Sequence, residues 1–289
     1  MNAQKIAILT DSAADLRPEL LECNPIFPIP YTITFSDGSY QDGVDIFPAD
    51  IYRKQVDEMP KTSLPSGQVI ADALQKIKDE GYEKVIAVML SSGLSGCYQL
   101  TRMMAMECEG LEVFCYDTLS GSLGQAAIVL TLCRMIEEGK TWEQLVDIVP
   151  RLCKNTFPYF TVDTLEYLQR GGRIGRITAL AGTALGIKPI ITFDTETGEL
   201  KSIHKVRGRA AAMKKLVQIA AANIVPGKRY NIMWAHGGSP EEGEQIAQML
   251  REAAPDFTQE YYGEIDCTLA CYVGPKLIGA AIQVLDDDM

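Results

Sequence analysis

Val85-Ile86-Ala87-Val88-Met89-Leu90-Ser91-Ser92-Gly93-Leu94-Ser95-Gly96-Cys97-Tyr98-Gln99 passes from an unbroken apolar run into serine and glycine, and a helical pattern follows over 98–106. A short apolar run bounded by turn residues reads as a buried strand. The strand ends in a glycine-flanked turn, and a helix begins on its far side. The first N–H groups of that helix have no acceptor within it and face the C-terminal edge of the strand. Three hydroxyls and the positive end of the helix dipole join them, which suits an anion such as a carboxylate or a phosphate. A cap by Ser95 and a turn eased by the glycines explain the same residues without a ligand.

Strand and helix alternate outward from this stretch. Residues 5–10 read as a strand that turns out at Asp11-Ser12, the edge where open α/β sheets collect ligands. Residues 26–35 alternate and carry Pro28 and Pro30, as an edge strand or extended connector would. Asp37-Gly38 and Asp42-Gly43 signal turns, and Pro48 opens a short helix through Gln55. Lys61-Thr62-Ser63-Leu64-Pro65-Ser66-Gly67 is a second hydroxyl-rich loop; it precedes an amphipathic helix over 68–78 that Ser66 is suited to cap. Residues 111–116 are another strand. The helix over 123–136 is almost wholly apolar or small, so it is buried on all sides. Either protein covers it, or it lines an apolar cavity with Ala126, Ala127 and Leu130. A further helix follows over 142–152.

After Lys154 the texture changes. Residues 159–163 read as a strand, 165–169 as a short helix before Gly171-Gly172, and 179–185 as a helix. Residues 189–193 and 200–206 read as an antiparallel pair. A long helix over 209–224, a strand over 230–236, a helix starting at Ser239-Pro240, a strand over 259–265 and a closing segment over 279–285 complete the chain. The expected fold is α/β in its N-terminal domain, with a mostly parallel sheet flanked by helices. A C-terminal α+β domain with a largely antiparallel sheet follows. The boundary falls near residue 156, giving domains 1–156 and 157–289.

The chain has 289 residues, long enough for two cores. Its formal charge of −11 argues against a nucleic-acid or anionic-membrane surface. No apolar run reaches the length of a membrane span, and the N-terminus enters a strand without a signal segment. Eight cysteines lie scattered without a Cys-x-x-Cys, as free thiols in a reducing cytoplasm would. Cys267 and Cys271 are the nearest pair, and without a histidine beside them no metal site is expected.

The ordered motifs Thr10-Asp11-Ser12-Ala13-Ala14-Asp15-Leu16, Lys61-Thr62-Ser63-Leu64-Pro65-Ser66 and Ser91-Ser92-Gly93-Leu94-Ser95-Gly96 resemble the DegV family. So do Leu165-Glu166-Tyr167-Leu168-Gln169-Arg170-Gly171-Gly172-Arg173-Ile174 and Leu185-Gly186-Ile187-Lys188-Pro189. The resemblance covers nearly the whole chain. It implies a cytoplasmic two-domain carrier, not itself catalytic, that holds one long-chain fatty acid between its domains. Some members hand the acid to a separate fatty acid kinase, so such a kinase is the implied partner. Thr62 or Ser63, with Ser95 and the Gly96 amide, would hold the carboxylate, and Arg173 matches an arginine near the head group. The chain departs from the family pattern at Tyr272 (histidine), Lys276 (glycine), Cys97 (threonine) and Leu64 (glutamine). Tyr272 can donate one hydrogen bond, Lys276 could offset anionic charge, and Ser92 lies beside the head-group turn.

Elementary energetics agree with such a ligand. Each hydrogen bond to a charged group is worth roughly 1.5–3 kcal/mol. About 15 buried methylenes at roughly 0.8 kcal/mol each set a gross affinity that association costs reduce. Two enzyme classes compete. A hydrolase would use Ser95 or Ser92 with a base, yet only His204 and His236 exist, both in the second half. A phosphoryl-transfer enzyme would gather Asp11, Asp117 and Asp163 around magnesium, but no Walker loop is present. No cofactor and no metal are expected.

Overall fold

Asp11 ends β1 (Ile6–Asp11), a strand buried on both faces, as a parallel sheet covered by helices requires. The computed structural model describes residues 2–175, 177 and 186–289, apart from the Cys23 side chain. The helix expected over 179–185 lies outside the described residues. A 3₁₀ turn (Ser12–Ala14) and α1 (Pro18–Cys23) lead to β2 (Ile26–Ile29), the parallel edge partner of β1. Beyond Pro30 the chain leaves this sheet, so the expected strand over 26–35 is split. β3 (Thr32–Phe35) and β4 (Gly38–Gln41) form a hairpin in a separate small sheet.

α2 (Pro48–Lys54) opens at its proline. The stretch read as a hydroxyl-rich loop is in part a strand, β5 (Lys61–Ser63), which pairs antiparallel with β3. Ser66 caps α3 (Gly67–Asp79), accepting the Val69 N–H at 3.3 Å. β6 (Lys84–Met89), α4 (Cys97–Glu107) and β7 (Glu112–Asp117) complete the first sheet, in the order β2-β1-β6-β7, all parallel. Alternation decides its faces. Ala7, Leu9, Val85 and Ala87 pack under α3 and α4, while Ile6, Ile8, Ile86 and Val88 face the other way.

On that second side lies α5 (Leu123–Glu137), followed by α6 (Trp142–Lys154). The chain then builds β8 (Thr156–Thr161), α7 (Glu166–Arg170), β9 (Ile187–Phe193), β10 (Leu200–Arg207) and α8 (Arg209–Ala221). β11 (Arg229–His236), α9 (Pro240–Ala253), β12 (Glu260–Glu264), α10 (Cys267–Val273) and β13 (Ile278–Leu285) finish it. The second sheet runs β10-β9-β8-β13-β11-β12 and is antiparallel except for the parallel pair β11–β12. The mixed architecture is thus a parallel α/β half followed by a largely antiparallel α+β half.

α8 and α9 cover the outer face of the second sheet, and α5 contacts its inner face as well as β1 and β6. That double contact explains a mainly apolar helix: only Arg134 and Glu137, near its C-terminal end, reach water. Its two buried polar side chains serve one sheet each. Gln125 donates to Thr10 Oγ1 at 3.0 Å and to Asp11 Oδ1 at 3.1 Å, while Thr131 donates to Gln283 Oε1 at 2.8 Å.

Buried carboxylates knit the halves together. Asp42, from the turn after β4, accepts the N–H groups of Cys267 and Thr268 at 3.0 and 3.1 Å, and so anchors the first turn of α10. Asp15 accepts the Asp266 N–H at 2.8 Å. Desolvation raises both members of the Asp15–Asp266 pair. Asp11 accepts the Leu90 N–H at 2.8 Å, yet burial still pushes it up to about 6. A raised carboxyl means that the folded protein keeps protons the unfolded chain releases. Its stabilisation is complete below the ordinary carboxylate range and is lost as pH rises through about 6. The expected Tm is therefore higher at pH 5.5 than at pH 7.5, by about 5 °C. Asp11→Asn should shrink that rise, because an amide does not titrate and its oxygen can still accept the Leu90 N–H. Calorimetric unfolding at the two pH values checks this; a variant with an undiminished rise would contradict it.

Candidate functional site

The turn after β6 is pinned from three directions. Asp11 holds the Leu90 amide, and Ser91 O accepts Leu94 N at 3.0 Å and Ser95 N at 3.1 Å. The Ser91 hydroxyl donates to Gly198 O at 2.8 Å, in the hairpin between β9 and β10. Gly93 is needed there for close approach: a Cβ on it would lie 2.3 Å from Thr197 O.

This fixes Ser95 against two donors. Its Oγ accepts the Tyr31 hydroxyl at 2.8 Å and the Cys97 N–H at 3.2 Å. A serine oxygen has two lone pairs and one hydrogen, so only the hydrogen remains to be given. Burial and the charge of Asp11 raise Tyr31 well above its ordinary value, so its phenol stays neutral and donating. The Gly96 amide, at the N-cap of α4, has no protein acceptor among the described residues.

Ser95 and Gly96 line a cavity of about 330 Å³ between the two sheets, within the size range of small-molecule sites. Thr62, Ser63, Tyr272 and Arg173 also line it, so the residues expected around a carboxylate converge on one place. Thr62 Oγ1 and the Tyr272 hydroxyl share a hydrogen bond that joins β5 to α10. Ser63, the next residue along β5, is exposed at the rim. The Arg173 guanidinium lies 4.8 Å from the centre of the Tyr272 ring and donates to Gly171 O at 2.8 Å. Among the described residues no carboxylate pairs with it. The remaining walls are mainly apolar, with Phe160 and Phe193 from the second sheet, Leu269 from α10 and Leu123 from the start of α5.

Five expected residues stand elsewhere. Ala126, Ala127 and Leu130 are buried along α5 but do not line the cavity, because both sheets close over that part of the helix. Ser92 gives its amide to Asp117 Oδ1 at 3.1 Å and stays within the turn. Lys276 is exposed with a left-handed φ of 63°; Lys188 holds Asp163 and Arg209 holds Glu242 below their usual range, and the Lys276 charge adds a little to both. Tyr31 is the contact the sequence reading missed. Its signal was a large polar aromatic directly after Pro30, in a segment read as a connector.

Among the described residues, the side chains named for the two enzyme readings have other partners or stand apart. His204 is exposed on β10, and the Nδ1 of His236 accepts Ser239 N at 3.4 Å. Asp117 caps its own turn, and Asp163 pairs with Lys188 at 2.6 Å. Among the described residues, no group of three or more His, Cys, Asp or Glu side chains is placed to hold a metal ion. Cys267 and Cys271 are buried free thiols. No helix among the described residues is long and apolar enough to cross a membrane.

A parallel α/β half and a largely antiparallel α+β half thus enclose an apolar cavity with hydroxyls on its wall. The chain belongs to the DegV family: the family model "Uncharacterised protein, DegV family" matches residues 5–284. A DegV domain-containing protein of Clostridium acetobutylicum is 35% identical over 280 residues, covering 96% of this chain and 99% of the relative. A fatty-acid-binding DegV family protein from Thermus thermophilus superposes with a TM-score of 0.91 at 28% identity, covering 99% of this chain and 100% of the other. A stearic-acid-binding protein from Eubacterium ventriosum superposes with a TM-score of 0.87 at 26% identity, covering 96% and 98%.

The placement of Ala127 separates wall from core. Ala127→Phe is expected to destabilise by about 1–3 kcal/mol through overpacking, leaving the ligand-size preference of the folded fraction unchanged. Denaturant unfolding beside a binding profile checks this, and a changed size preference at full stability would contradict it.

Proposed function

We propose that this protein binds one long-chain fatty acid between domains 1–156 and 157–289, with the carboxylate at Ser95 and the acyl chain along the apolar cavity. The observation that carries the reading is the Ser95 hydroxyl. Both its lone pairs are taken by Tyr31 and Cys97, so it can only donate, and it lines the cavity beside a free amide. A ligand there must bring acceptors, and a carboxylate brings the strongest that a lipid offers.

The Thr62–Tyr272 pair supports the same reading. Two hydroxyls joined by one bond leave one hydrogen to give. Arg173 adds positive charge at the rim without burying it. Each hydrogen bond to the carboxylate contributes about 1.5–3 kcal/mol. The chain contributes roughly 0.8 kcal/mol per buried methylene, so the tail sets affinity and the head sets orientation. The fatty-acid binding of the Thermus and Eubacterium proteins is in keeping with this.

The protein is then a carrier and not a catalyst. Presentation of the acid to a fatty acid kinase in the cytoplasm belongs to the same reading and rests on the family resemblance alone.

Solvent extraction of the purified protein followed by mass spectrometry should release an acid of about 14 to 18 carbons. Ser95→Ala should weaken palmitate binding about tenfold in a calorimetric titration, the loss of one charged hydrogen bond, while the Tm stays within about 2 °C. Unchanged affinity would contradict the head-group assignment.

A further inference from the structure

Gly279 sits inside β13, a strand buried along its whole length. Glycine is unfavourable there, because it loses the most backbone freedom and packs no side chain. Nothing in its own surroundings requires it. Its φ is outside the left-handed region, and an added Cβ would meet Leu123 Cδ1 at 3.5 Å, Tyr159 O at 3.6 Å and Phe160 Cβ at 3.9 Å, all ordinary contacts. Gly121, another glycine of the cavity wall, differs: a Cβ there would come within 2.6 Å of Leu90 Cδ1.

Across the sheet, Gly279 pairs with Phe160 on one side and Ala235 on the other, and all three line the cavity. The floor is therefore a trough, with its two smallest residues side by side and a ring at one bank. The missing side chain leaves volume in the cavity and relieves no strain. The three nearest atoms to that volume belong to two apolar side chains and a backbone carbonyl, with no hydroxyl among them, as the surroundings of an acyl chain would be.

We infer that Gly279 is a specificity-determining residue for the acyl chain: the space over it sets how long a chain the cavity accepts. The inference rests on the fatty-acid reading above. A side chain at 279 occupies the path of the methylenes and leaves the carboxylate contacts intact. Its signature is a loss that grows with chain length.

The test is calorimetric titration of wild type, Gly279→Ala and Gly279→Val with saturated fatty acids of 10 to 18 carbons. Thermal unfolding of each variant is measured alongside. For Gly279→Val, the longest acid that wild type accepts should bind at least tenfold more weakly, while acids four carbons shorter stay within threefold. Gly279→Ala should shift the same way by a smaller factor, and it decides the matter if the valine variant does not fold. An equal loss at every length, or a profile unchanged in the folded variants, overturns the assignment of Gly279 while leaving fatty-acid binding standing. Failure of the wild type to bind any of these acids overturns the fatty-acid reading and this inference with it.

Discussion

One helix buried from both sides governs this molecule. α5 packs against β1 and β6 of the parallel sheet and against the inner face of the largely antiparallel one, so a shared layer joins the sheets between the cores that each keeps on its other face. A helix in that position can carry few polar groups, and each must find a buried partner. Gln125 finds the parallel sheet through Thr10 and Asp11, and Thr131 finds the antiparallel sheet through Gln283. Where α5 begins, at Leu123, the sheets are no longer wedged together by its bulk, and the cavity opens. The cavity lies at the start of the helix.

The same seam aligns the polar mouth. Asp11 reaches from β1 to the Leu90 amide, Ser91 reaches to Gly198, and Asp42 holds the first turn of α10. Residues far apart in sequence therefore meet with little freedom left. Two of the positions where the chain departs from the expected pattern fit this frame. At position 97 the backbone N–H, not the side chain, contacts Ser95, so a cysteine serves. At position 272 a tyrosine hydroxyl reaches Thr62 across the gap between β5 and α10.

Much of this was legible in the residues. The apolar run into Ser91-Ser92-Gly93 announced strand, turn and helix, and 189–193 with 200–206 announced a hairpin, because local pattern sets both. The burial of α5 over most of its length was legible too. What lay against it was not, because an all-apolar period is the same for a helix between two sheets as for one lining a void. Ala126, Ala127 and Leu130 were misplaced for that reason. Thr62 with Tyr272, 210 positions apart, was reachable only through the order of family motifs. Tyr31 escaped because its partner, Ser95, lies 64 positions away in sequence, and no short-range signal carries that.

The central claim is that Ser95 meets its ligand only as a donor, and so selects for an acceptor of high charge. Calorimetric titration with palmitate and with 1-hexadecanol, equal in chain and different in head, tests it most directly. The account predicts palmitate binding at least tenfold tighter at neutral pH, with the gap narrowing when Ser95 is replaced by alanine. Equal binding of the acid and the alcohol, or a gap that Ser95→Ala leaves untouched, would contradict it.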